Sequence, residues 1–323
     1  MRVIVIGATG HVGGYLVPRL VGAGHEVVAI SRGRQAPYRE DPAWDRVDRV
    51  VADREAEDAA GTFGDRIAAL HPDVVIDMVC FTPDSATRLL DALRGTGARL
   101  LMCGTIWGHG TLTAVPALEH EDRSPWGGYG IGKAAIEDLI LAEAHRADGV
   151  PSAILHPGHI SGPGWGVINP AGNLDPEVWR KLATGERLVL PNLGLETLHH
   201  VHADDVAQAF QLAIEHPEEA AGRSFHVVSE RALTLRGFAE QAATWWGREA
   251  DLAFAPFDAF RATTTEEHAA TTWEHVARSH SVSIAAAREH LGYAPRATSL
   301  EAAREAVTWL AAQEGSPIPS LHG

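Results

Sequence analysis

Val3 to Gly14 reads VIVIGATGHVGG: four aliphatic residues run straight into glycines at positions 7, 10 and 13. Glycine loses more conformational freedom on folding than any other residue, so this spacing needs a steric reason. A buried strand that ends in G-x-x-G-x-x-G and opens a helix supplies one. Gly7 permits the tight turn, Gly10 lets a pyrophosphate approach the main chain, and Gly13 lets helix and strand pack closely. The helix start then offers free N–H groups and a partial positive charge to phosphates.

Outward from this stretch, the first half alternates apolar runs with helical patterns. RVIVIG, HEVVAIS, RVVAD, DVVIDMV, RLLMCG and PSAILHPG are continuous rather than alternating, as in parallel strands buried on both faces. Between them, segments such as DSATRLLDALRGTG and KAAIEDLILAEAHRADG place apolar residues at three- and four-residue spacing and close on glycine. The fold class is therefore α/β, a Rossmann-type doubly wound parallel sheet with right-handed crossovers. Pro18 falls inside the first helix and is expected to bend it. From about Gly162 a Gly/Pro-rich loop follows, then HHVHADDVAQAFQLAIEH and RSFHVVS return to the sheet. The expected division is a dinucleotide-binding domain over 1–165 with 198–229 returning to it. A smaller, mostly helical substrate domain covers 166–197 and 230–323, with RATTTEEHAATTWEH as a lid.

Hydrophobic residues make up 45% of the 323 and charged ones 21%, an ordinary globular composition. The net charge of −15, with no basic cluster, argues against nucleic acid as a partner. Cys80 and Cys103 cannot build a disulfide framework and fit a reducing compartment. With no signal-like or membrane-length apolar run, the expected location is the cytoplasm.

The second strand ends in AISRGRQ, and no acid follows until Glu40. NAD sites place a carboxylate there for the ribose 2′-hydroxyl, whereas Ser31, Arg32 and Arg34 suit a 2′-phosphate. NADP is favoured, with NAD left open. Further on, YGIGK sets Tyr129 and Lys133 four residues apart, on one face of a helix. A phenol titrates near pH 10, and a neighbouring ammonium and an oxidised nicotinamide both lower that value. Tyr129 then becomes a general acid/base for a substrate hydroxyl.

Taken together, these motifs resemble the extended short-chain dehydrogenase/reductases, which include nucleotide-sugar epimerases and dehydratases. GATGHVG is similar to that family's glycine motif, Asp53 in VADR to its adenine-contacting acid, and YGIGK to its catalytic pair. HPGHISGPG, HVHADDVAQA and REHLGYAPRATSLEAAREAVTWL resemble its later signatures, so the likeness spans essentially the whole chain. The resemblance implies coenzyme contacts from Gly7, Thr9, Gly10, His11, Val12, Gly13, Ser31, Arg32, Arg34 and Asp53. It implies others from Met78, Val79, Cys80, Lys133, Pro157 and His159. Tyr129 and Lys133 are catalytic by the same resemblance, and a homodimer is implied through the Asp84–Arg94 and Lys133–Ala147 helices.

The departures bear on substrate. Where the family carries SSxxxYG, this chain reads MCGTIWG, with Cys103 in place of the serine that bonds the reacting oxygen. A thiol donates poorly, so either Thr105 or Cys103 takes that role. Gly104 and Thr105 stand where sugar 4,6-dehydratases have an Asp-Glu pair, which argues against that dehydration. An arginine used on the nucleotide diphosphate is Leu198 here, and His156 replaces another arginine. The substrate is therefore expected to be a smaller, uncharged sugar, polyol or other hydroxy or keto compound. Trp107, His109, Trp165 and His202 are candidate substrate contacts, whereas Trp245, Trp246, Trp273 and Trp309 are expected in the core. Despite 18 histidines no tetrahedral ligand set is evident, so no metal is expected. The functional expectation is an NAD(P)-dependent oxidoreductase or epimerase acting by hydride transfer on a secondary alcohol or ketone. A non-catalytic dinucleotide-binding redox sensor or interaction protein is the alternative.

Overall fold

The structure, a computed structural model, describes residues 1–37 and 39–322. Strands β1 (Arg2–Ile6), β2 (Glu26–Ser31), β3 (Asp48–Val51), β4 (Val74–Asp77), β5 (Arg99–Cys103) and β6 (Ser152–Pro157) each follow an apolar run of the sequence. Helices α1 (Gly13–Gly22), α2 (Arg54–Ala59), α3 (Phe63–Ala68), α4 (Pro83–Leu93) and α5 (Gly127–Ala144) lie between them. Next come β7 (His159–Ser161), α6 (Pro176–Thr184), β8 (Leu188–Pro191), β9 (Thr197–Leu198) and β10 (His200–His202). Helices α7 (Ala203–Glu215) and α8 (Pro217–Ala220) then lead to β11 (Ser224–Val227).

Seven strands form one parallel sheet in the order β11-β6-β5-β4-β1-β2-β3. Val3 pairs with Val27 on one side and Val74 on the other, and it is fully buried along with Ile4 and Val5. Burial on both faces explains the unbroken aliphatic runs. One face packs on α1 and α7 through Leu16, Leu20, Val206 and Phe210; the other packs on α3, α4 and α5 through Phe63, Leu89, Leu93 and Ile136. The strand order reverses between β1 and β4. In open α/β sheets ligands bind in the crevice at the strand ends beside such a reversal.

A third apolar cluster, with Trp179, Phe238, Trp245, Trp246 and Val307, joins residues around 167–198 to the C-terminal helices. This region also holds a short strand, Leu252–Ala255, parallel to β8. Trp273 departs from expectation: it stands on helix Glu266–Val276 with 49% of its surface exposed, outside the core. Among the described residues no helix is long and apolar enough to cross a membrane.

Candidate active site

Each glycine of the first turn has a measured steric reason. Gly7 has φ +85°, and a Cβ there would lie 2.8 Å from Val79 Cγ1 and 3.2 Å from Met78 Cβ. The end of β4 therefore closes directly on the turn, which brings Met78 and Val79 to it. A Cβ on Gly13 would fall 2.0 Å from the Ala8 carbonyl oxygen, so α1 cannot leave the strand this tightly with any other residue. At Gly10 the corresponding distance, to the Gly7 carbonyl, is 3.2 Å. Val12 caps α1 without a side-chain hydrogen bond; the Gly14 and Tyr15 N–H groups turn back to the Gly10 and Val12 carbonyls, and the helix start as a whole favours an anion through its dipole. A dinucleotide pyrophosphate fits this cradle of main chain. Across it, His11 Nε2 meets the Pro163 carbonyl at 3.1 Å, and the half-exposed Trp165 stacks on the His11 ring at 6.1 Å.

At the end of β2, Gly33 takes φ +67° and donates its N–H to Ser31 Oγ at 3.3 Å. The chain then turns so that Arg34 Nη2 lies 3.6 Å from Asp53 Oδ2, with both side chains largely in solvent. Asp53 also caps α2, accepting from the Ala56 N–H at 3.3 Å. Cys80 is fully buried, and burial raises its thiol to about 12. Arg54, next to Asp53, is driven inward to pair with the buried Asp77 and with Asp58.

Tyr129 and Lys133 rise from the first turns of α5. Thr105 lies near enough to the Tyr129 phenol to oppose the rise in its pKa, and the Tyr129 ring meets Trp107 edge-on at 5.8 Å. Burial is the largest influence on the phenol and pushes it up to about 12, with Cys103 adding to the rise and Thr105 opposing it. Lys133 lies one turn further along α5. Its buried ammonium donates to the Cys103 carbonyl at 2.9 Å and stands 5.9 Å from the Tyr129 ring centre. Both residues considered for the serine role act on the Tyr129 phenol, Thr105 lowering it and Cys103 raising it. Cys103 itself packs into the core with its thiol raised by burial.

The histidines divide. His109 is buried with its Nε2 2.6 Å from His226 Nε2, and burial lowers it to about 4. His202 caps α7, accepting the Asp204 N–H at 3.0 Å, and is held by Glu305 and Arg296 beside Tyr15. Both are committed to protein contacts rather than presented to a substrate. His159 lies nearer the chemistry: its ring is 4.9 Å from that of His275, which meets Trp107 edge-on at 5.2 Å. His199, His200 and His202 are all buried, and among the described residues no group of three ligands could hold a metal.

Two contacts here were not foreseen. Arg278 reaches back from the C-terminal region and lies between Trp107 and Trp126, donating to the Trp126 carbonyl at 2.9 Å. Glu137 extends the Tyr129–Lys133 stripe by one further turn and meets His156 Nε2 at 3.2 Å. A third polar residue at four-residue spacing on an otherwise apolar helix face was the available signal.

Residues 3–227 match the NAD dependent epimerase/dehydratase family. The chain is 30% identical over 255 residues to 2′-dehydrokanamycin reductase of Streptomyces kanamyceticus, spanning 77% of this chain and 67% of that one. It is 28% identical over 233 residues to dTDP-4-dehydro-6-deoxy-D-allose reductase of Streptomyces bikiniensis, spanning 64% and 70%. A solved UDP-glucuronic acid 4-epimerase from Bacillus cereus, in complex with UDP-glucuronic acid and NAD, shares the fold. Its TM-score is 0.71 over 96% of this chain and 98% of that one, at 16% identity. The protein belongs to the NAD dependent epimerase/dehydratase family. It is an NAD(P)-dependent oxidoreductase or epimerase of the short-chain dehydrogenase/reductase type, using a nicotinamide coenzyme.

Proposed function

We propose that the chain moves hydride between NADP and a secondary alcohol or ketone of a small, uncharged, sugar-like substrate. The Lys133 ammonium, hydrogen-bonded to the Cys103 carbonyl at the end of β5 and 5.9 Å from the Tyr129 ring on the same helix, carries this reading, with Thr105 beside the phenol. The coenzyme supplies or accepts the hydride at its nicotinamide ring. Tyr129 gives the proton to the substrate oxygen, or takes it, and Thr105 donates a hydrogen bond to the same oxygen. Lys133 and the positive charge of an oxidised nicotinamide are the groups that bring the phenol down from about 12. Gly7, Thr9, Gly10, His11, Val12 and Gly13 hold the pyrophosphate, while Arg32 and Arg34 meet the 2′-phosphate. Asp53, Met78, Val79 and the Pro157–His159 segment line the rest of the coenzyme.

An uncharged substrate follows from what the cations are doing. Arg278 is tied to Glu274 at 2.5 Å, Arg123 is tied to Glu137 and Asp138, and Leu198 is fully buried. None of these offers a charge to a nucleotide diphosphate. A relative is named 2′-dehydrokanamycin reductase, a name without a nucleotide sugar in it, which supports a substrate lacking the diphosphate. Two copies are expected to pair through α4 and α5, a particle that light scattering would read as twice 34.6 kDa.

The test is turnover with NADP⁺ against kanamycin, free hexoses, UDP-glucose and dTDP-glucose. Accumulating NADPH marks net oxidation, and isomerised sugar without NADPH marks epimerisation. Tyr129→Phe collapses turnover while coenzyme affinity stays the same. Undiminished turnover in that variant contradicts the assignment; no turnover in the wild-type protein, with coenzyme bound, favours the sensor.

A further inference from the structure

Tyr129, Lys133 and Glu137 are spaced by four along α5, and each holds a different part of the chain that leaves β5. Tyr129 lies beside Thr105 and Lys133 donates to the Cys103 carbonyl at 2.9 Å. Glu137 acts through an intermediary. Its carboxylate, 4% exposed, lies 3.2 Å from His156 Nε2, and the other ring nitrogen, Nδ1, accepts the Thr105 N–H at 3.0 Å.

The chemistry of this pair sets the direction of the bond to Glu137. Burial alone raises the Glu137 carboxyl, but the facing His156 and Arg123 outweigh it and hold the group at about 2. An ionised carboxylate only accepts, so Nε2 carries a proton toward it, while Nδ1 lies against the Thr105 main chain, 3.0 Å from its nitrogen and 3.1 Å from its carbonyl oxygen. Space is made for the ring by Gly104, where a Cβ would stand 2.3 Å from Nδ1. A glycine at 104 and an imidazole at 156 are thus two halves of one arrangement.

We propose that His156, locked by Glu137, is the positioning residue for Thr105. It fixes the Thr105 peptide so that the hydroxyl stays on Tyr129 and on the substrate oxygen. This rests on the catalytic reading of Tyr129 and Thr105 above. Thr105 is extended at φ −164° and ψ 147°, and its hydroxyl also receives the Trp107 N–H at 3.3 Å. A tilt of this peptide therefore moves the hydroxyl directly.

The experiment separates the two ends of the imidazole. In His156→Asn the amide oxygen takes the place of Nδ1, keeping an acceptor for Thr105 but losing Glu137. In His156→Gln the amide reaches the Nε2 position, keeping Glu137 but losing Thr105. Methyl NMR of labelled threonine reads the Thr105 side-chain rotamer without any substrate. One rotamer is expected in wild-type protein and His156→Asn, and an averaged signal in His156→Gln. With the substrate found by the turnover screen, kcat falls about 10- to 100-fold in His156→Gln and about 5-fold or less in His156→Asn. Coenzyme affinity stays within about 2-fold in both. In a Thr105→Ala background the His156→Gln loss shrinks to about 2-fold, because no hydroxyl remains to be placed. Equal effects of Asn and Gln, or the same loss with and without the Thr105 hydroxyl, overturn the proposal. If His156→Gln does not fold, His156→Leu, which removes the acceptor for Thr105 altogether, takes its place in the same cycle, with the same expectation. Tyr129→Phe measured alongside separates the failures. Full turnover there removes the catalytic reading and this proposal with it; collapsed turnover together with additive losses removes this proposal alone.

Discussion

The Arg278 guanidinium lies 4.0 Å from the ring centre of Trp107 and 3.6 Å from that of Trp126, flat groups on both sides of one cation. Trp107 in turn meets Tyr129 edge-on, so a residue 149 positions along the chain braces the start of the catalytic helix. Arg278→Lys retains charge but loses the planar stack and the fork to Glu274 and Trp126. We expect a loss of about 1–3 kcal/mol in stability and a fall of several-fold in kcat, with Arg278→Met worse on stability. Thermal unfolding and steady-state kinetics check this.

Gly13 allows no side chain. A methyl there would sit inside the Ala8 carbonyl, and backbone cannot swing aside as a flexible side chain can. Gly13→Ala should destabilise the protein by about 1–3 kcal/mol and weaken coenzyme binding more than 10-fold. Gly22→Ala is the control, because a Cβ there meets nothing within 4 Å. Calorimetry of both variants, with and without NADPH, provides the measurement.

Burial holds several histidines neutral. His109, His199 and His275 are lowered to about 4, and His200 and His280 to about 3, against 6.5 in an open chain. Between pH 6.5 and about 4 the unfolded chain binds more protons than the folded one, so stability falls as pH falls. At pH 5 each such histidine removes about 2 kcal/mol, and above pH 6.5 none does. Glu137, held at about 2, adds to the loss at still lower pH. Urea midpoints should be flat from pH 7 to 8 and drop steeply below 6. A flat profile down to pH 5 contradicts the burial argument.

Coenzyme preference turns on the end of β2. Arg32→Ser with Arg34→Ser should weaken NADPH about 10- to 100-fold and leave NADH within about 2-fold, since only the former carries the 2′-phosphate. Titrations at two salt concentrations should show the NADPH term shrinking as salt rises.

The sheet was legible because its inner aliphatic runs had to be buried on both faces, although the edge strand β3 is largely exposed, and the strand–glycine–helix turn because steric exclusion is local. The Tyr129–Lys133 pair was legible through helical spacing taken together with its place after the strand–glycine–helix unit. What escaped were contacts between distant segments: Glu137 with His156, and Arg278 with two tryptophans. No local period encodes them, since each depends on which helix face meets which strand end. Trp273 misled for the same reason. Its helix was anticipated, but the face it presents was set by packing of the C-terminal segment, and it stands in solvent. His109 and His202 sit close in sequence to the active-site loops, yet His226, Glu305 and Arg296 claim them.

The central claim is that the turn from Gly7 to Gly13 holds a dinucleotide whose reactive ring faces Tyr129. Titration of the purified protein with NADPH and NADH, followed by nicotinamide fluorescence, tests it most directly. The account predicts saturable binding of one coenzyme per chain, tighter for NADPH, and largely abolished by Gly13→Ala but retained in Tyr129→Phe. Absence of binding by both coenzymes at millimolar concentration would contradict it.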